Sequence, residues 1–203
     1  MSEKSNESRN GIEIATSVGG YFGGVVGEAI KHQKVEASAA AQTYVVELLA
    51  AFAKPDQAAG STLSEPVTFL LRDAMEASGS ERFKRLQTLG DGVLYSVGFF
   101  GEGLDRADKR YFVYVGSSAY AHAADMLRKG SAGPGVLDEM AQGFGGFVEV
   151  LNDVSDWVMA QGVRGQQGVV KLYERWLKRS SPALTNGLAG LGIVAPSGAR
   201  GTA

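Results

Sequence analysis

The chain has 203 residues, 44% of them hydrophobic and 21% charged, with a formal net charge of -2 and no cysteine. That length suits one well-buried core, and the ordinary composition excludes a wholly disordered or membrane-embedded chain. The near-neutral charge gives no general pull on phosphate backbones, so general nucleic-acid binding is not expected, and the missing thiols exclude disulfides, thiolate metal sites and a cysteine nucleophile.

The opening MSEKSNESRN is polar, carries both charge signs and lacks the apolar stretch of a secretory signal, so residues 1–10 read as a flexible tail. From Ile12 to about Gln33, Ile14, Val18, Tyr21, Val25 and Ala29 keep helical spacing. Gly19, Gly20, Gly23, Gly24 and Gly27 weaken this helix, and the pairs Gly19 with Gly23 and Gly20 with Gly24 have the spacing that lets two helix backbones approach closely. The uncharged run is too short to span a bilayer, so a tight soluble helix pair is expected, with a conditionally ordered arm as the alternative.

A second helix is predicted from about Glu36 to Ala53, with Ala41, Val45, Leu48 and Phe52 on one face, stopped by Pro55. Asp56 to Leu63 reads as a loop. Ser64 and Pro66 then open a short helix that carries Val67, Leu70, Leu71, Ala74 and Met75 inward. The central helix is predicted over Ser80 to Leu104. Phe83, Leu86, Gly90, Val93, Val97, Phe100 and Leu104 form one stripe, and Ser78 with Glu81 has the spacing of a capping box. Its glycines at 90, 92, 98, 101 and 103 require compensating close packing.

Residues 107 to 129 continue as helix through Phe112, Val115, Ala119, Ala123 and Met126, and SAGPG from Ser131 is a turn. One long helix is expected from Val136 to about Ala160, with Leu137, Met140, Phe144, Phe147, Leu151, Val154 and Val158 inward. A last helix over about 167 to 179 carries Val169, Leu172, Tyr173, Trp176 and Leu177. The fold expected is all-α, a single-domain antiparallel or irregular bundle of about six to seven helices over 11–180, with residues 181–203 as a flexible C-terminal tail.

The segments YVVELLAAF from Tyr44 to Phe52 and ERFKRLQTLGD from Glu81 to Asp91 carry a resemblance, together with Gly98-Phe99-Phe100, Tyr111, and Gly116 with Ala119-Tyr120. The series resembles a family of uncharacterised bacterial proteins, most strongly over about 36 to 128. The resemblance implies a bacterial origin and a shared helical fold, and it transfers no activity and no catalytic residue.

No Walker A loop, GxGxxG after a strand, HExxH or GxSxG is present, which favours a noncatalytic protein without a cofactor. Gly143, Gly145 and Gly146 lie inside a predicted helix and read as packing glycines. Glu28 with His32 and His122 with Asp125 could each face one way on a helix, and if the two helices were neighbours they could offer N/O ligands to Zn, Fe or Mn. Exposed helix-surface pairs are the competing reading. Asp91, inside the core helix, needs a partner, for which Arg82, Arg85 or Tyr95 is in reach, and it reads as an anchor of helix register. Arg164, Lys171, Arg175, Lys178 and Arg179 make the last helix basic, read as a solvated face, while Tyr173 and Trp176 pack inward.

The leading functional expectation is a noncatalytic interaction or assembly protein of a bacterial cytoplasm, acting on a protein partner or on itself. The second is a small-molecule-binding domain in which Tyr95, Phe99, Tyr111 and Tyr114, with Asp91, line an apolar pocket. A metal-dependent enzyme using the histidine pairs is the third.

Overall fold

The structure is a computed structural model that describes residues 19–53, 65–128 and 135–194. The polar tail expected over 1–10, the loop after Pro55 and most of the SAGPG turn lie outside the described residues. Within them the fold is all-α, as the helical periodicities predict, with no strand. Its helices are α1 over 19–33, α2 Ala39–Phe52, α3 Val67–Glu76, α4 Gly79–Phe100, α5 Arg106–Arg128, α6 Val136–Gln142, α7 Phe144–Gly162, α8 Gly165–Arg179 and α9 Pro182–Gly190. No helix of the described residues is long and apolar enough to cross a membrane.

The chain forms two compact units, one running to Leu151 and one from Asn152. In the first, α4 packs chiefly against α5, and α5 against α6. Leu86, Leu89, Val93, Leu94 and Val97 of α4 are buried, as are Val115, Ala119 and Tyr120 of α5. The stripe predicted for the central helix fails at its end. The α-helix gives way to a 3-10 turn at Gly101–Gly103, and Phe100 stands 65% exposed. Glycine's weak helix propensity accounts for the change of winding.

Local polar contacts set the helix ends. The Ser38 hydroxyl accepts from the Ala41 N–H at 3.1 Å and donates to Glu139 Oε2 at 2.6 Å, which caps α2 and ties its start to α6. The capping box expected at Ser78 and Glu81 does not form: the Ser78 side chain makes no capping bond, and Glu81 pairs with Arg85 at 2.7 Å. The long helix expected from Val136 is interrupted at Gly143, although the Gly143 N–H still bonds Glu139 O and the Phe147 N–H bonds Gly143 O.

The second unit has its own core of Leu172, Trp176, Leu184 and Leu188, with Met159, Ala160, Val163, Tyr173 and Ile193 against it. Two of these leucines come from a stretch expected as tail. Ser181 accepts from the Leu184 N–H, Pro182 occupies the first turn, and α9 follows with Leu184 and Leu188 four apart on its buried side. The basic helix α8 is also less solvated than expected. Arg175 is buried, with its Nε 2.5 Å from Asp156 Oδ1, and the Arg179 Nε lies 3.1 Å from Asp156 Oδ2. Trp176 packs inward as expected and donates its indole N–H to Thr185 at 3.0 Å.

Candidate functional site

Two places in the first unit gather residues singled out by the sequence: the surroundings of Asp91, and the solvent side of α1. Asp91 sits mid-way along α4. The Tyr44 hydroxyl, from α2, donates to its Oδ1 at 2.6 Å, and the Tyr120 hydroxyl, from α5, donates to the same oxygen at 2.7 Å. Gln87 Nε2 donates to Tyr44 Oη at 3.1 Å. Three helices are therefore tied at one carboxyl oxygen. The partners differ from those expected by helical spacing. Arg85 is taken by Glu81, Arg82 reaches Met75 Sδ at 3.2 Å, and Tyr95 stacks on Phe52 and Phe99 instead.

Burial pushes the Asp91 carboxyl above the usual carboxylate range, against the two tyrosine hydrogen bonds, which favour its charged form. Burial likewise pushes the Tyr44 and Tyr120 hydroxyls up, and the neighbouring Asp91 charge adds to it, so both hydroxyls stay protonated donors. Tyr120 is fully buried and its ring lies on Gly90, where a Cβ would fall 2.5 Å from the ring carbons. The arrangement joins helices and offers no ionisable tyrosine as a base. Asp91 thus has the partners that its place on an apolar helix calls for, and they are not the ones expected from helical spacing.

Among the described residues, the four aromatics expected to line an apolar pocket with Asp91 are not all enclosed. Tyr95 and Phe99 stack with their centroids 5.1 Å apart, but Tyr114 is 68% exposed and Tyr111 lies at the surface with its hydroxyl 2.8 Å from Thr68 Oγ1. The metal ligands do not converge either. Among the described residues no three His, Asp or Glu side chains come together around a common point. Glu28 is bonded to Lys31 at 2.8 Å, Asp125 to Arg128, and His32 lies beside Gln33, so exposed local pairs replace the metal set.

On α1 the buried side is Phe22, Val26 and Ala29. Away from it, a Cβ built at Gly19, Gly20, Gly23 or Gly24 would meet no atom of the described residues within 4 Å. The close helix approach expected at these glycines is therefore absent within the described part of the chain. Gly27 alone comes close to a neighbour, with its Cβ position 3.2 Å from Gln42 Nε2. Gly20, Gly24, Glu28 and Lys31 follow one another along the exposed strip, with Tyr21 half-exposed beside it. By contrast Gly146 is filled against Val35 and Gly143 against Phe147, each at 3.0 Å, as the packing reading expects, whereas Gly145 meets no described atom within 4 Å.

Sequence reasoning missed Tyr44 and Tyr120 as partners of Asp91, and the pairing of Asp153 and Asp156 with Arg175 and Arg179. The second had a signal, acids three apart facing bases four apart on successive helices. Compared with protein-family models, with curated proteins and with solved structures, the chain matches none of them.

Proposed function

We propose that this protein is a noncatalytic helical assembly module of the bacterial cytoplasm, and that the open glycine strip of α1 seats a second copy of the same chain. The observation that carries this reading is that no described atom lies within 4 Å of a Cβ at Gly19, Gly20, Gly23 or Gly24. Each helical glycine costs about 1 kcal/mol relative to alanine, and at these four no packing from the described residues offsets that cost. A partner backbone lying in the groove would supply the missing contacts. The strip carries its own acid and base, Glu28 and Lys31, so two copies related by a twofold axis can exchange these partners across the contact.

Sedimentation equilibrium or native mass spectrometry tests this. The intact chain is expected to form a dimer, and Gly20→Gln with Gly24→Gln to return it to monomer without loss of helicity, because both new side chains point into open space. A monomeric intact chain, or a dimer that survives the double substitution, contradicts the reading.

A further inference from the structure

A second surface shares no residue with the strip on α1. An open cleft of about 700 Å³ lies where the start of α4 meets the last turns of α5, and Ser78, Gly79, Arg82, His122, Asp125 and Arg128 line it. We propose that this cleft binds a phosphomonoester dianion.

The Arg82 Nε is enclosed and has no hydrogen-bond partner among the described residues, and one terminal nitrogen lies 3.2 Å from Met75 Sδ. Thioether sulfur is a weak acceptor, so this guanidinium is poorly satisfied, and because its Nε is sealed off, its terminal nitrogens are the donors that an anion oxygen in the cleft would meet. The one carboxylate in the lining does not answer it. Asp125 is bonded to Arg128, which also lies 3.3 Å from Asp138 outside the cleft.

The α4 terminus contributes independently. Its first amide N–H groups have no partner inside the helix, and the Ser78 hydroxyl, the side chain placed to cap them, makes no capping bond. Such a terminus favours an anion, and the Ser78 hydroxyl remains as a further donor. His122 brings an imidazole from α5. Donors therefore approach from two helices and outnumber acceptors, which suits a tetrahedral dianion better than a planar carboxylate. Met126 and Ala77 give the same cleft an apolar side, and its volume leaves room for an organic group beyond the phosphate.

The full chain is titrated with inorganic phosphate, glycerol 3-phosphate and acetate, following phosphorus NMR of the ligand and the His122 ring resonances. Saturable one-to-one binding of glycerol 3-phosphate, tighter than that of phosphate and much tighter than that of acetate, is expected, with a shift of His122. Arg82→Gln should weaken it at least about tenfold at unchanged melting temperature, the scale of losing a charge-assisted hydrogen bond. Ser78→Ala should cause a smaller loss. If Arg82→Gln does not fold, His122→Ala takes its place with the same expected direction. No saturation by about 10 mM ligand, a range that already corresponds to very weak binding, overturns the proposal. Equal binding of acetate, or binding unaltered by the substitutions, overturns it as well.

Discussion

The glycines of α4 and α5 and those of α1 stand in helices of similar composition and do opposite things. At Gly90, Gly98 and Gly116 the missing side chain is occupied by a neighbour: the rings of Tyr120 and Phe144 and the side chain of Leu151 stand where a Cβ would be. At Gly19, Gly20, Gly23 and Gly24 no atom of the described residues stands there. The first set gives up helix propensity to bring α4 against α5 at Gly90, and α4 and α5 against α7 at Gly98 and Gly116, and dense packing offsets it. The second set incurs the same cost with no return inside the described chain. Small residues at helical spacing thus report that a close neighbour is wanted, and only the structure tells whether it is already present.

The contrast can be tested by filling both sets. Gly116→Ala forces a methyl group into the Phe144 ring, which is itself fully buried, and should lower stability by about 3 kcal/mol in thermal or urea unfolding. Gly24→Ala, on the open side of α1, should raise the stability of the monomeric chain by up to about 1 kcal/mol. Equal responses at the two positions would remove the distinction.

Asp91 gives the next effect. Asp91→Ala strips the acceptor from Tyr44 and from the buried Tyr120, and should cost about 2 kcal/mol. Asp91→Asn keeps an oxygen for both hydroxyls and removes the charge, so its effect is smaller and depends on pH. Burial holds the folded carboxyl above its usual range, so the folded chain binds more protons here than the unfolded chain does. The parent's stability from this group is therefore fully present below the usual aspartate range and declines as pH rises through the raised folded value. Asp91→Asn should flatten that decline in unfolding measured from acid to neutral pH. A parent and variant with parallel profiles would show that burial of the charge has no energetic consequence.

How far the sequence carries the reader depends on the range of the interaction. Helical periodicity placed α2 to α5 and α8 within a few residues and identified most of the inward faces, because the repeat is local. It failed at Phe100, where the helix tightens at Gly101, and at α9, where the Gly and Asn content obscured the start given by Ser181 and Pro182. It also missed the division of the chain at Leu151, which falls inside α7. The site was less legible. Asp91 stood out as a polar residue on an apolar helix, but its partners are 47 and 29 residues away, beyond any spacing rule. Arg175 counted as a surface charge for the same reason: its neutralising Asp156 lies on another helix. The paired histidines showed the reverse error, since correct spacing on each helix does not bring two helices together.

Hydrogen exchange of the intact chain at low and high protein concentration addresses the central claim most directly. Amides of 19–31 should exchange more slowly as concentration rises, while those of 90–120, already packed within the chain, keep the same protection. Protection of 19–31 that is independent of concentration would contradict a second copy seated on α1.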